Sequence, residues 1–317
     1  MSNAVNTIPE APAKLNKSTW YRGLHVSWDL YILIAPALIL LIIFNYVPMY
    51  GVQIAFKDYS VTKGIWASEW VGLEHFIRFF SSYNCPTLFK NTIVISMYSL
   101  VAGFPMPIVL ALFLNKLRFE KLKKVTQTVS YAPHFISTVV LVGMITVFTD
   151  TSNGIINIIL RMNGKAAVDF MGKPELFHHI YVWTDVWKEM GWGAIIYIAS
   201  LSNISPELYE SARIDGANKL QTIVHIDLPS IAPTIITLLI LRSGSILSVG
   251  FEKAWLMQKP LNLTESEIIS TYVYKIGIQG AQFSYSTAIG VFNSVVNALM
   301  LVVVNKISSM VSETSLW

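Results

Sequence analysis

The sequence predicts an all-α integral membrane protein, and three observations support that fold class. Hydrophobic residues make up 53% of the 317 residues and charged residues only 13%, about half the charged share of a soluble domain. The mean hydropathy is +0.52. Apolar runs also recur along the chain, each near the ~20 residues that cross a bilayer as a helix. These features together predict several membrane-spanning helices.

Six apolar runs predict six transmembrane helices. They cover about residues 30–55, 92–114, 128–148, 180–201, 231–249 and 287–304, within a transmembrane domain of residues 30–310. About thirty residues precede the first run, and its apolar core is too long for a signal peptide, so we expect it to stay in the membrane. Residues 311–317 are predicted to form a cytoplasmic tail.

Residues 1–29 are predicted to be a cytoplasmic tail that ends in an interfacial helix. Trp20, Tyr21 and Trp28 occur beside Arg22 and His25 in the segment from residue 18 to residue 28. Aromatic rings mixed with basic groups suit the boundary between water and lipid. The polar residues before this segment contain too few apolar side chains to build a core.

A polar stretch separates the fourth and fifth runs and predicts two short helices. Ser205 is a candidate N-cap, and Pro206 fits the first helical position because its missing N–H costs nothing there. Gly216 can end this helix in a left-handed conformation. Asn218 can start the second helix, and Pro229 opens the fifth run. We call residues 205–229 the coupling loop.

The composition of the coupling loop allows two interpretations. Small residues would let another surface approach closely, and charged residues would surround them. The small residues are Ser211, Ala212, Gly216 and Ala217; the charged ones are Glu207, Glu210, Arg213, Asp215 and Lys219. One interpretation is a surface for docking, and the other, which the local signals alone favour, is a solvated connection between helices.

The spacing in residues 210–229 resembles a known motif. Glu-x-Ala-x-x-x-Gly, nine residues and then Ile-x-Leu-Pro is the pattern of the EAA loop in permease subunits of binding-protein-dependent ABC importers, with Ser211 replacing the middle alanine. The resemblance implies a type I importer permease whose cytoplasmic coupling helix sits in a groove of an ATPase. The implied coupling residues are Glu210, Ser211, Ala212, Asp215, Gly216, Ile226, Leu228 and Pro229.

Other segments resemble the maltose-type carbohydrate permeases, and most closely those for polygalacturonate or alginate fragments. These segments are residues 45–56, 70–76, 91–92 and 250–257. The resemblance implies a second homologous permease, an ATPase dimer that binds ATP and Mg, and an extracytoplasmic sugar-binding protein. It implies no cofactor in this chain. The exterior loops Lys57 to Asn91 and Phe251 to Phe283 are candidates for receiving the binding protein.

A short cation-rich loop and the EAA-like motif together predict the orientation, since the motif must face the ATPase. A short, cation-rich connection follows the second run, as expected for a cytoplasmic loop. Its cations are Lys116, Arg118, Lys121, Lys123 and Lys124. Both termini are then cytoplasmic in a multi-pass protein of the bacterial cytoplasmic membrane. Anionic lipid explains the net charge of +4, so nucleic-acid binding is not predicted.

The fourth and fifth runs contain ionisable residues, which within a membrane are candidate functional groups. Helical spacing places Asp185, Lys188, Glu189 and Trp192 on one face and Trp187 on another, and Arg242 on the fifth run should lie at a similar depth. One interpretation is the wall of a sugar pathway. The other is a structural ion-pair set that joins Arg242 or Lys188 to Asp185 or Glu189.

The sequence therefore predicts an oligosaccharide permease without catalytic chemistry of its own. It lacks a phosphate-binding loop, and its scattered histidines predict no metal site. Two alternatives stay open. One is a membrane-embedded enzyme of glycan or lipid metabolism, with Asp185 and Glu189 as acid and base. The other is an ion-coupled secondary transporter, for which inverted repeats would be expected.

Overall fold

The structure is a computed structural model that describes residues 28–311, most of them helical. The N-terminal tail and its interfacial helix up to residue 27, and the tail from residue 312, lie outside the described residues. The chain divides into two units, Met1–Gln53 and Ile54–Trp317.

The described part of the first unit is an apolar helical segment that widens before a proline. Helix α1 (Trp28–Leu41) continues as a π-helical turn (Ile42–Tyr46), helix α2 (Val47–Met49) and a 3-10 turn (Tyr50–Phe56). Pro48 cannot donate a backbone hydrogen bond, and its ring crowds the carbonyl four residues earlier. The wide turn, closed by Val47 N–H on the Ile42 carbonyl, accommodates that proline.

The second unit begins with a small folded segment outside the long helices. Strand β1 (Lys57–Asp58) pairs antiparallel with strand β2 (Glu69–Trp70), and helix α3 (Gly64–Ala67) lies between them. The Lys57 ammonium donates to the Ile65 carbonyl at 2.7 Å and lies 4.8 Å from the Trp70 ring centroid. Helix α4 (Glu74–Phe80) follows. The predicted exterior loop therefore has a structure of its own.

The second span begins before residue 92, where the apolar run predicts its start. Helix α5 (Cys85–Gly103) and helix α6 (Pro105–Asn115) form one apolar span, Cys85–Asn115. Pro105 begins α6, where a missing N–H is tolerated. The extension before residue 92 is fixed by Asn91, whose amide donates to the Thr264 and Glu267 carbonyls at 3.0 Å each.

The third predicted span, residues 128–148, differs from one continuous helix. It contains the end of helix α7 (Glu120–Tyr131), a 3-10 turn (Ala132–Phe135) and most of helix α8 (Thr138–Thr149), and the two arms meet at 99°. Pro133 interrupts the first arm. Ser137 then adopts an extended backbone, and its hydroxyl accepts the Val140 N–H at 3.3 Å, which starts the second arm.

The remaining helices complete the second unit. They are α9 (Ile155–Met162), α10 (Pro174–Ser202), α11 (Pro206–Ile214), α12 (Lys219–Thr222), a π-helical turn (Ile223–Asp227), α13 (Leu228–Ser243), α14 (Phe251–Met257), a 3-10 turn (Pro260–Asn262), α15 (Leu263–Ser266), α16 (Ile269–Tyr274), a π-helical turn (Lys275–Gln279) and α17 (Phe283–Val311).

Helix α10 is the central element of the second unit, packing against α5, α6, α7, α13 and α15. Val182 and Ala194 on α10 are fully buried. A Cβ atom added at Gly191 would lie 1.9 Å from the Ser130 carbonyl oxygen, so glycine is required where α10 crosses the end of α7. This crossing positions the ionisable residues of α10 against the broken third span.

The all-α membrane fold is confirmed, whereas the count of six spans stays a prediction. Among the described residues, four helices are long and apolar enough to cross a membrane, and the bent pair α7–α8 would be a fifth. The four are Leu30–Phe56, Cys85–Asn115, Lys219–Ser243 and Phe283–Met310. Helix α10 is ~43 Å long by its rise per residue, which is enough to cross a membrane. It carries the charged residues Asp185, Lys188 and Glu189 and is not one of the four.

Candidate functional site

The coupling loop folds as two short helices, as predicted. Helix α11 begins at Pro206, and Gly216 follows its end with φ of +76°. Gly216 N–H donates to the Arg213 carbonyl at 3.1 Å and Ala217 N–H to the Ala212 carbonyl at 2.8 Å. This pair of bonds is a Schellman motif, which requires a left-handed residue and therefore favours glycine.

The two predicted helix caps have different outcomes. Asn218 caps α12, and its partner Gln221 completes a capping box with hydrogen bonds of 2.8 and 2.9 Å. The expected side-chain cap at Ser205 is wrong, because only its backbone carbonyl is engaged, by Leu208 N–H at 3.2 Å. The signal for Gln221 was present in the sequence as an amide three residues after Asn218.

Pro229 does not open the fifth span, which is a further correction. The helix already runs from Lys219 to Ser243 without an end at the proline. A π-helical turn before it, closed by Leu228 N–H on the Ile223 carbonyl, accommodates the ring as in the first unit.

The predicted coupling residues are unequally accessible in this chain. Glu210, Ser211, Asp215, Gly216 and Pro229 are exposed, and Ala212, Ile226 and Leu228 are half-buried. Leu228 packs against the buried cluster of α6, α10 and α13, so its contacts are internal. The loop also exposes apolar side chains that the motif does not include, led by Ile214 at 87%. An exposed surface that mixes apolar and polar groups suits a protein partner.

Sequence reasoning missed a buried polar cluster beneath the coupling loop, which we call the junction. The fully buried Asp227 carboxylate lies 2.6 Å from the Lys116 ammonium and accepts the Tyr209 hydroxyl at 2.5 Å. The Lys116 ammonium is also 4.6 Å from the Tyr209 ring centroid. Burial, reinforced by the hydrogen bond to Asp227, raises the pKa of Tyr209 to about 12. The sequence signal that could have revealed the junction is an acidic residue, Asp227, at the start of an apolar span.

A polar cavity of about 350 Å³ opens beside the middle of α10. Its lining includes Ser96 and Ser99 of α5, Asp185 of α10, and Arg242 of α13. A second cavity of about 210 Å³ shares Ser99, Asp185 and Arg242 and is bounded further by Gly103, Pro107, Glu189, Trp192 and Gly193. We call the two together the charged cavity.

The structure brings together most of the predicted pathway residues. Asp185, Glu189, Trp192 and Arg242 all line the charged cavity. Lys188 lines a neighbouring cavity of about 270 Å³ that it shares with Asp185. Trp187 is 43% exposed and lies on a different face, as its helical position predicted. Their role in binding a substrate stays a prediction.

The carboxylates of the charged cavity have partners that sequence reasoning mostly missed. Asp185 lies 3.2 Å from the Lys253 ammonium, which also donates to the Tyr181 carbonyl at 2.7 Å. Glu189 lies 2.8 Å from His134 Nδ1 and 3.4 Å from the Lys188 ammonium. Only the last pair belongs to the predicted ion-pair set. The partners Lys253 and His134 lie far along the chain, and no local pattern points to them.

Arg242 forms no ion pair with Asp185 or Glu189, which corrects the interpretation that joined it to one of them. Among the side chains that the structure describes, no carboxylate lies within 4 Å of its guanidinium. Its Nη2 donates instead to the Ser99 carbonyl at 3.4 Å. A Cβ atom at Gly103 would come within 3.2 Å of Nη2, so this glycine makes room for the cation.

His134 joins the broken third span to the charged cavity. Its ring stacks on Trp192 with the ring centroids 4.4 Å apart and the planes 3° from parallel. Since His134 lies in the 3-10 turn between α7 and α8, the bend of this span places an imidazole against Glu189 and Trp192, two residues that line the cavity. The face of Trp192 that His134 leaves uncovered and the polar groups around it are suited to hold a polar, ring-shaped solute.

Long apolar helices around a partly charged interior define a multi-pass helical membrane protein. The profile of the family described as "Binding-protein-dependent transport system inner membrane component" matches residues 103–309. The chain belongs to this family, and it is a permease component of such a transport system. The resemblance noted in the sequence is thereby confirmed.

Curated relatives agree over nearly the whole chain. The polygalacturonan/rhamnogalacturonan transport system permease protein YteP of Bacillus subtilis (strain 168) is 41% identical over 288 residues, covering 91% of this chain and 90% of that protein. Protein LplB of the same organism is 41% identical over 300 residues, covering 94% of each. The match therefore includes the segments before residue 103 as well.

Solved structures agree with the fold. A chain of a bacterial ABC transporter involved in the import of the acidic polysaccharide alginate superposes with a TM-score of 0.86 at 40% identity, covering 93% of this chain and 99% of that chain. A structure of bacterial alginate ABC transporter in complex with alginate pentasaccharide-bound periplasmic protein matches equally well, with a TM-score of 0.86.

Proposed function

We propose that this chain is one of two permeases in an importer of acidic oligosaccharides. A periplasmic or cell-surface binding protein delivers the sugar, and an ATPase dimer that binds ATP and Mg drives its passage. The relatives support this, since one carries polygalacturonan in its name and the matching structures concern alginate. Both polymers consist of or contain uronate units, each with a carboxylate.

The position of Arg242 is the observation that supports an acidic substrate. Its guanidinium lines the charged cavity without a carboxylate partner among the described side chains, while Asp185 and Glu189 are already paired. Arg242 is the cation that lines the charged cavity itself, whereas Lys253 and Lys188, which pair with Asp185 and Glu189, line the neighbouring cavity. A guanidinium recognises carboxylates through paired hydrogen bonds. A uronate carboxylate fits this position.

The ATPase is proposed to bind the coupling loop. Glu210, Asp215 and the apolar Ile214 are exposed there, and the Schellman turn at Gly216 holds α11 in a defined direction. If the ATPase binds the coupling loop, this loop lies on the cytoplasmic side of the membrane, together with both termini. Family membership favours transport over the embedded enzyme and the secondary transporter.

The test uses the assembled complex with both permeases and both ATPases. We expect ATP hydrolysis and uptake in proteoliposomes to be stimulated by binding protein loaded with oligogalacturonate or alginate oligomers. Arg242→Gln should reduce uptake of these oligomers roughly tenfold, the size of one charge-assisted hydrogen bond, and change uptake of a neutral oligosaccharide little.

Lys121→Gln is the matched control, since it removes an exposed cation from α7, away from the charged cavity. This variant should transport both classes of sugar normally. Equal losses for acidic and neutral oligosaccharides in Arg242→Gln would contradict the assignment of this residue. If loaded binding protein fails to stimulate ATP hydrolysis by the wild-type complex, the proposed function itself is wrong.

A further inference from the structure

The junction lies where three helical elements meet. Lys116 directly follows the last residue of α6, Tyr209 lies on α11, and Asp227 ends the π-helical turn that leads into α13. One carboxylate thus contacts the end of one span, the coupling helix and the start of another span. A buried carboxylate requires such partners, because an unpaired one would carry a large desolvation cost.

Helix α11 has little other attachment to the rest of the chain. None of its nine residues is buried. In the part of the chain that the structure describes, Tyr209 is the residue of α11 whose side chain hydrogen bonds to other elements, namely to Asp227 and to Asn115 at the end of α6. Any force on α11 therefore reaches the other helices mainly through this hydroxyl and through the backbone.

The two spans joined at the junction also line the charged cavity. Arg242 lies about 15 residues after Asp227 on the same helical rod, which corresponds to about 22 Å. Helix α6 contributes Pro107 to the cavity wall and continues from α5, which contributes Ser99 and Gly103. A shift at the junction would therefore reach both walls of the cavity along these helices.

We propose that Tyr209, Asp227 and Lys116 are positioning residues that transmit movement of the coupling helix to α6 and α13. The inference rests on the proposed function, because it requires an ATPase that moves α11. The Tyr209 hydroxyl and the Asp227–Lys116 pair fix α11 to two spans at once. Movement of the coupling helix then tilts both spans together, and this tilt changes the side of the membrane to which the charged cavity opens.

The test separates transmission from folding and from ATPase binding. Complexes with Tyr209→Phe, which keeps the ring over Lys116, are compared with wild type for ATPase content, stimulated ATP hydrolysis and sugar transported per ATP. We expect normal ATPase content and stimulated hydrolysis, with roughly tenfold less sugar per ATP, as for loss of one hydrogen bond to a charged group.

A second pair of variants tests the ammonium. Lys116→Met should also uncouple hydrolysis from uptake, whereas Lys116→Arg, which keeps a cation beside Asp227, should restore most of the sugar transported per ATP. The control Tyr285→Phe removes the hydroxyl of a buried tyrosine that is far from the coupling loop in the sequence, and it should leave this ratio unchanged.

Each outcome decides the proposal. Unchanged sugar per ATP in Tyr209→Phe and Lys116→Met overturns it. Loss of the ATPase from the complex, or equal falls in hydrolysis and uptake, also overturns it, because the junction would then only support folding or binding. A wild-type complex without stimulated hydrolysis identifies a failure of the proposed function, before any variant is compared.

Discussion

The coupling loop and the charged cavity both depend on polar contacts, but the contacts span very different distances along the chain. In the coupling loop, Asn218 and Gln221 are three residues apart. In the charged cavity, Asp185 and Lys253 are 68 residues apart, and His134 and Glu189 are 55 apart. Local contacts define the loop, and the packing of the whole helical unit defines the cavity.

The two regions therefore keep their structures in different ways. The loop can keep its shape while its surface stays free for a partner, because its capping bonds are internal to it. The cavity can hold charges within the membrane only if distant helices deliver their partners. Damage to cavity pairs should therefore cost more stability than damage to loop caps.

The largest expected effect is at the Asp185–Lys253 pair. Asp185→Asn leaves the Lys253 ammonium, which is 5% exposed, without a carboxylate and should lower the free energy of unfolding by about 3 kcal/mol. Denaturant unfolding of the purified permease measures this. Adding Lys253→Met to the same chain should recover much of the loss.

The exposed pair Lys63–Glu69 is the matched control for the substitutions at Asp185 and Lys253. The two side chains lie 3.7 Å apart and are 56% and 81% exposed, so Glu69→Gln should change the free energy of unfolding by less than about 1 kcal/mol. Equal costs for the two carboxylate substitutions would remove the distinction between cavity and surface charges.

An intermediate effect is expected where α10 crosses α7. Gly191→Ala would place a Cβ atom against the Ser130 backbone, which cannot rotate away, so we expect a loss of about 2 kcal/mol from overpacking. Gly143→Ala on α8 is the control, since its Cβ would meet no atom within 4 Å. A thermal unfolding series that ranks Gly143→Ala as the more damaging variant would refute the close crossing.

The smallest effect is expected in the coupling loop. Asn218→Ala removes the side-chain acceptor of the Gln221 N–H, while the Asn218 N–H can still donate to the Gln221 side chain, and it should cost about 1 kcal/mol. Ser205→Ala should cost almost nothing, because its side chain makes no capping bond. Hydrogen exchange of α12 and α11 amides measures the two effects separately. Equal protection losses would show that both caps operate.

The same difference explains how much could be predicted from the sequence. The bounds of α11, the turn at Gly216 and the cap at Asn218 are encoded within a few residues, so local rules find them. The common face of Asp185 and Glu189 follows from helical periodicity alone.

What could not be predicted depends on contacts between distant segments. Pro133 is visible in the sequence, but local residues give neither the 99° bend around it nor the close approach of α7 to Gly191. Lys253 was assigned to an exterior loop, and only the folded chain brings it to Asp185. The junction likewise joins Lys116 to Asp227, which helices α7 to α12 separate in the chain.

The central claim is that the coupling loop drives transport while the charged cavity selects the solute. The direct test measures uptake of an acidic and a neutral oligosaccharide by complexes that carry Gly216→Leu or Arg242→Gln. A Cβ atom at Gly216 would meet no atom within 4 Å, and the strain from its positive φ is confined to the exposed turn after α11, so the permease should stay in the membrane while uptake of both sugars is lost. Arg242→Gln should lose uptake of the acidic sugar alone. Normal uptake in Gly216→Leu, or equal losses in Arg242→Gln, would contradict this division of roles.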